Sequence, residues 1–345
     1  MRRRCTAKLH ENGAIVARAL AEIAEEQFES DDIHCLTSPF SASASVLFFS
    51  AFFSGATCVT YRIDKSGLGP LRRVLVDERI TIFRASVEPL KYFFAELAPD
   101  AFFPDLRALF PFGDALYRRD IEAWRTHLPQ SAVVVSTLSA SEIGVMTRSV
   151  TRYDTQLPAS KLLAGYPAMN KQILLVDDNG IEVHGGETGE IVVRSDLPFH
   201  GYWRRPDLTG TKFMPDPADP SRTIFRSGDL GRFHPDGQLE YMGRKDFQVK
   251  IRGFSVDLSA VESVLMTDAG VRRAVVAAPA DMQGQRQLVA YVLPEKGVSL
   301  SVNRLRDLVS ATLPTYMVPA FFEIVSELQM GPTQKVDRTT LPAKS

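Results

Sequence analysis

Apolar residues first recur at helical spacing near the start of the chain. Ile15, Ala19 and Ile23 repeat every four positions with Val16 and Leu20 beside them, which predicts an amphipathic helix over 14–28. Residues 33–61 then contain no Asp, Glu, Lys or Arg and include VLFFSAFF, long enough to raise a membrane span. Six serines interrupt the run, and Pro39 and Gly55 divide it. The pattern therefore reads better as a strand (33–37), a buried helix (42–53) and a second strand (56–61). Helices at 71–77, 89–97 and 115–127 then alternate with apolar runs in RITIF, LRALF and AVVVS, and such alternation with short connections predicts a parallel α/β sheet.

After Gly165 the period changes. KQILLVDDNG, GEIVVRS, RTIFRSGDLG and QLEYMGR are short strands broken by Gly and Asp turns, so an antiparallel or barrel-like body is expected. GRKDFQVKIRGFSV follows, in which Val249 and Ile251 alternate with Lys250 and Arg252 before Gly253 permits an unusual backbone angle. That stretch reads as a hinge between two bodies. Beyond it, SAVESVLM carries a Ser259 to Glu262 capping-box pattern, RAVVAAPA and QLVAYVLP read as strands, Val302, Leu305, Leu308 and Val309 mark one helix face, and FFEIV closes as a strand. The expected organisation is a large α/β domain over 1–242 and a small, mobile α+β domain over 243–345.

Composition narrows the function. At 345 residues and 45% hydrophobic content the chain can bury two cores without staples. Lys and Arg number 40 against 41 Asp and Glu, which supplies no field for capturing nucleic acid or an anionic membrane. Cys5, Cys35 and Cys58 are too few and scattered for a disulfide framework, and the six histidines show no paired ligand spacing, so a reducing cytoplasm is expected. No signal peptide or internal repeat is visible.

Individual motifs carry chemistry weakly. FRSGDLG sets Asp229 on a glycine turn directly after a strand, where a carboxylate can accept two hydrogen bonds from the vicinal hydroxyls of a ribose, yet such turns are usually only solvated. Arg244 and Asp246 in GRKD could be a surface ion pair worth little, and Lys335 in KVDR is an ordinary loop lysine by itself.

In combination and order, GETGEIVVRS, GYWRRPDLT, FRSGDLGRFHPDGQLEYMGRKDFQVKIRGF, LPTYMVPAF and QKVDR resemble the successive signatures of the AMP-forming adenylate superfamily. The likeness is strongest to adenylation domains of nonribosomal peptide synthetases and related acyl-activating enzymes. It is dense from Gly186 onward, and SGA (Ser54 to Ala56), FGDAL (Phe112 to Leu116), SASE (Ser139 to Glu142) and GYP (Gly165 to Pro167) fit the family more loosely. The resemblance implies a carboxylate ligase that forms an acyl-adenylate from ATP with Mg2+ and passes the acyl group to a phosphopantetheine thiol of a carrier protein or CoA. By it, Asp229 would hold the ribose with Arg244 in support, Asp246 would be the pivot, and Gly253 would line the thiol tunnel. Glu142 would help bind Mg2+, Ser141 would touch the α-phosphate in place of the usual Thr, Gly113 and Asp114 would form the turn at the bound nucleotide, and Lys335 would bridge the substrate carboxylate and α-phosphate.

The sequence also departs from the family pattern. The phosphate-gripping loop ending in Pro-Lys-Gly is absent, and KLHENGAIV resembles the helix that normally follows it, so an N-terminally truncated large domain is expected. Without that loop the β- and γ-phosphates would lack backbone donors, which keeps open a second reading, a noncatalytic adenylation remnant that acts as a binding module. Ser41 and Ala42 fall where amino-acid-specific members carry an amine-pairing Asp, favouring an aryl, hydroxy or fatty acid over an amino acid. Thr333 and Gln334 replace the usual Asn-Gly before Lys335, and LPTYMVP favours carrier-loading relatives over CoA ligases.

Overall fold

The computed structural model describes residues 8–37, 44–158, 161–197, 199–220, 222–245, 248–251, 254–279, 286–329, 336 and 341. The chain divides into two compact units, Met1–Ser227 with Gly231–Tyr241, and Gly228–Leu230 with Met242–Ser345.

The first unit is built on a seven-stranded sheet, in spatial order Thr57–Thr60, Ile33–Leu36, Ile82–Ser86, Ala108–Phe112, Val133–Ala140, Gly144–Thr151 and Tyr166–Pro167. The first five run parallel and the last two antiparallel, so the expected α/β fold is present. Both faces of its central strands are covered, as parallel strands require. Phe83 and Leu109 enter one core with Leu90, Phe93, Ile121 and Trp124, whereas Ile82, Ala108 and Phe110 enter another with Phe28 and Val135.

The first helix, Asn12–Glu26, turns the expected stripe inward at Ala19 and Ile23 but leaves its Val16 and Leu20 flank outside. Val16 and Leu20 are 39% and 53% exposed, while Ala14, Arg18 and Ala19 are buried. Arg18, Glu22 and Glu26, one turn apart, each meet a partner across the unit: the Glu142 carbonyl, Arg84 and Arg148. The helix Ala44–Phe53 is likewise less buried than its apolarity predicts, with Phe52 65% exposed. Among the described residues no helix is long and apolar enough to cross a membrane.

A second, five-stranded sheet has the order Phe213–Pro215, Thr223–Phe233, Gly189–Ser195 and Lys171–Val176, with Leu239–Arg244 pairing the long strand Thr223–Phe233. Its pairings of Lys171–Val176 with Gly189–Ser195 and of Phe213–Pro215 with Thr223–Phe233 are antiparallel. Ile143, Met146, Ile173, Ile191, Phe213, Phe225 and Leu239 form its core.

In the second unit the hairpin Gln248–Ile251 and Phe254–Asp257 leads into the helix Leu258–Leu265. Asp257, not Ser259, caps that helix, because its carboxylate already accepts from the Ser259 N–H at 2.8 Å. Glu262 instead accepts from the Val276 N–H at 2.6 Å and ties the helix to the sheet. Val271–Ala277 pairs antiparallel with Val289–Pro294, which pairs parallel with Phe321–Ile324. Leu305 and Val309 bury the inner face of the helix Val302–Thr312.

Candidate functional site

Ser141 and Glu142 sit at the tip of the hairpin between Val133–Ala140 and Gly144–Thr151, where Ala140 faces Gly144 across the ladder. The tip is held from inside. Ile143 is buried in the core below it, its N–H donates to the Ala140 carbonyl at 3.1 Å, and Gly144 takes a left-handed φ of 78°. Arg18 donates from Nη2 to the Glu142 carbonyl at 2.6 Å, and the Tyr202 hydroxyl donates to Glu142 Oε1 at 2.9 Å. Ser141 Oγ lies 3.4 Å from Glu142 Oε2 as a longer donor. Burial, followed by the charge of Glu142 and its hydrogen bond, raises the Tyr202 phenol well above its ordinary range, so it stays a donor. Burial also pulls the Arg18 guanidinium down to about 10 against the attraction of Glu142, which leaves it charged at neutral pH.

Nearby in the same unit, Lys171 donates to Ser195 Oγ at 2.6 Å, and burial with the charge of Arg18 lowers it to about 8. Arg18, Tyr202 and Lys171 are not singled out by the sequence patterns. Tyr202 stands inside GYWRRPDLT without a role, and Arg18 sits in a helix that the pattern reads only by its apolar residues.

Asp229 lies within the strand Thr223–Phe233, not on a turn after it; Gly228, at φ 77°, provides a local bend without ending the ladder. Asp229 is 8% exposed, and Arg244 donates from Nη1 to its Oδ1 at 3.1 Å. Arg244 ends the strand Leu239–Arg244 beside Gly243, whose φ is 101° and where a Cβ would fall 2.8 Å from Ser259 Oγ. A side chain there would collide with Ser259.

Gly113 has φ 91°, and a Cβ added there would meet nothing within 4 Å; Asp114 Oδ1 accepts from the Ala115 N–H at 2.8 Å. Both lie at the carboxyl end of the parallel strand Ala108–Phe112, where ligands of open α/β sheets bind. Ser141 with Glu142 and Asp229 with Arg244 are thus two assembled pairs, one in each unit. Lys335, Asp246, Gly253, Ser41, Ala42, Thr333 and Gln334 lie outside the described residues.

Residues 9–203 match the AMP-binding enzyme family and residues 260–335 match the AMP-binding enzyme C-terminal domain. The chain belongs to this family of adenylate-forming ligases. It is 37% identical over 264 residues to tyrocidine synthase 3 of Brevibacillus parabrevis, an alignment that covers 73% of this chain and 4% of that one. Holo-AB3403, a four-domain nonribosomal peptide synthetase solved with AMP and glycine, shares the fold at TM-score 0.82 and 24% identity, over 99% of this chain and 25% of its own. O-succinylbenzoate coenzyme A synthetase of Bacillus subtilis, solved with ATP and a magnesium ion, does so at TM-score 0.79 and 20% identity, over 97% of this chain and 66% of its own.

Proposed function

We propose that this chain is a nonribosomal-peptide-synthetase-like adenylation domain that activates a carboxylic acid with ATP and hands the acyl group to a phosphopantetheine thiol of a carrier protein or CoA. The observation that carries the reading is the Asp229–Arg244 pair, a mostly buried carboxylate with one oxygen held by a guanidinium at 3.1 Å. Such a carboxylate is oriented to accept from a ribose diol.

In the first step a carboxylate oxygen of the acid bonds to the α-phosphorus of ATP, the bond to the bridging oxygen breaks, and pyrophosphate leaves. Lys335 neutralises charge between the two anions, Ser141 lies beside the α-phosphate, and Gly113 and Asp114 line the nucleotide. Among the described residues no three His, Cys, Asp or Glu side chains gather as a metal cage. Glu142, an oxygen donor with the Tyr202 and Ser141 hydroxyls beside it, is the residue that would hold a hard cation. When bound, Mg2+ supplies charge neutralisation at the phosphates. In the second step the thiol loses its proton to solvent, its sulfur bonds to the acyl carbon, and AMP departs. The domain over 243–345 pivots at Asp246 between the two steps and brings up Gly253 for the thiol. Ser41 and Ala42 in the acid pocket favour an aryl, hydroxy or fatty acid.

Carboxylate-dependent exchange of labelled pyrophosphate into ATP tests the reading, across aryl, hydroxy, fatty and amino acids. Exchange by the intact chain is expected, with loss in Lys335→Ala and Asp229→Ala. No exchange with any acid overturns the ligase assignment, and AMP binding retained in that case makes the chain a nucleotide-binding module.

A further inference from the structure

The segment GYWRRPDLT has a physical purpose legible in its packing. Gly201 takes φ 99°, and a Cβ there would fall 2.4 Å from Thr209 Cγ2 and 2.5 Å from Thr209 Oγ1, so only glycine lets the chain pass. Thr209 opens the room and closes the turn at once. Its hydroxyl donates to the Arg205 carbonyl at 3.0 Å and accepts from the Tyr202 N–H at 2.9 Å. The short helix Pro206–Lys212 is thereby locked to the strand Gly201–Tyr202, itself paired to Lys8–Leu9. Phe199 and Phe213 meet the Tyr202 ring edge-on at 5.9 and 6.1 Å and fix its plane. A ring held this firmly delivers its hydroxyl to one place, Glu142 Oε1 at 2.9 Å, 60 residues away in the chain.

The other end of the same residue is held independently, by Arg18 on the Glu142 carbonyl at 2.6 Å. Arg18 is 9% exposed, and its Cδ lies 3.4 Å from where a Cβ on Gly144 would stand. Main chain and carboxylate of Glu142 are therefore fixed by two elements that are not part of its own hairpin.

We propose that Tyr202 is a positioning residue, whose hydroxyl, with Arg18 as its main-chain counterpart, aims the Glu142 carboxylate at the divalent cation that accompanies ATP. The inference rests on the reading of Glu142 as the metal-side carboxylate. Partners that orient a ligating carboxylate typically change metal affinity 10- to 100-fold when removed. Tyr202→Phe deletes one oxygen and keeps the ring packing.

The test is calorimetric and needs no turnover. ATP binding to the intact chain is measured across a Mg2+ series, and AMP binding is measured in EDTA. Tyr202→Phe is expected to raise the Mg2+ concentration for half-maximal tightening of ATP about tenfold, with AMP affinity in EDTA unchanged. Glu142→Gln is expected to shift it at least as far. Thr209→Val, which removes the hydroxyl that holds the Tyr202 N–H, is expected to move the series in the same direction, while Thr209→Ser stays near the parent. If Glu142→Gln shifts the Mg2+ series and Tyr202→Phe does not, the positioning role is wrong while the metal-side reading stands. If Glu142→Gln also leaves the series unmoved, the metal-side reading fails and takes the proposal with it. A Tyr202→Phe protein that loses AMP binding in EDTA together with ATP binding marks the tyrosine as structural only, and this too overturns the proposal.

Discussion

Arg84 and Glu22 stand 62 residues apart in the chain and meet at 2.7 Å inside the first unit, with side chains only 4% and 13% exposed. The guanidinium also lies over the rings of Phe110 and Phe28, at 4.3 and 5.0 Å, and the second oxygen of Glu22 accepts from Ser50 Oγ at 2.6 Å. A carboxylate taken this far from water depends on its partner. Arg84→Met is expected to destabilise the first unit by about 3–5 kcal/mol, because it strands a buried charge. Arg84→Met combined with Glu22→Leu is expected to cost less than Arg84→Met alone, since both charges are then gone. Urea midpoints followed by circular dichroism measure the cycle, and a double variant less stable than either single would refute the coupling.

The contact between Arg244 and Asp229 is more open, with side chains 33% and 12% exposed, so its part in stability is smaller. Arg244→Gln is expected to cost about 1–2 kcal/mol in stability, the range for a hydrogen bond to a charged group discounted for solvent. Its larger consequence is expected in binding. Asp229→Asn keeps the shape and removes the charged acceptor, and AMP affinity by calorimetry is expected to fall at least about tenfold. Equal AMP affinity in the parent and Asp229→Asn proteins would remove Asp229 from the nucleotide site.

Gly165 and Gly113 have nearly the same backbone angle, φ 86° and 91°, but opposite surroundings. A Cβ on Gly165 would fall 1.9 Å from the Arg148 carbonyl oxygen and 2.7 Å from the Ser149 nitrogen, both backbone atoms that cannot yield. Gly165→Ala is therefore expected to destabilise by at least about 3 kcal/mol or to prevent folding. Around Gly113 the same Cβ meets nothing within 4 Å, so only the left-handed strain remains, about 1 kcal/mol. If Gly113 borders the nucleotide, Gly113→Ala lowers AMP affinity more than it lowers the melting temperature. Thermal melts with and without AMP on the two variants decide both points.

The parallel sheet is legible in the sequence because both of its faces are covered, and strands of that kind print continuous apolar runs such as the VVV that opens Val133–Ala140. Strand positions slip nonetheless: the run RITIF points to a strand at 79–83, and the ladder runs over Ile82–Ser86. Arg79 is left-handed at φ 50° and Thr81 Oγ1 donates to Asp32 Oδ1 at 2.7 Å, so the first residues of that run serve a turn. The polar face of the first helix is not legible. Arg18, Glu22 and Glu26 become interior residues only because partners arrive from positions 84, 142 and 148, which no local period encodes. The same holds for Tyr202, whose motif is visible and whose target, Glu142, is not. The capping pattern at Ser259 fails for a local reason, since Asp257 two residues earlier is the stronger acceptor in the right place.

His34 supplies a pH dependence of known sign. Its ring is fully buried, meets Phe28 edge-on at 4.7 Å, and has no hydrogen-bond partner at either nitrogen among the described residues. Burial, with the charge of Arg84 next, lowers it from 6.5 to about 3. Below pH 6.5 the unfolded chain takes up a proton on this imidazole that the folded chain refuses down to about pH 3, so stability is lost as pH falls through that window. The slope from a single such group approaches about 1.4 kcal/mol per pH unit. Asp32 nearby also loses stability in acid, because against burial the hydrogen bonds from Arg107, the Glu29 N–H and Thr81, with the charge of Arg107, together hold it below its usual value. It is common to parent and variant, so the difference between them isolates His34. His34→Leu is expected to flatten the loss between pH 6.5 and about 4 and to be the more stable protein at pH 5, by urea unfolding at fixed ionic strength. Curves for His34→Leu and parent that run parallel from pH 7 to 4 would show that the imidazole titrates alike in both states, and that its burial carries no linkage to folding.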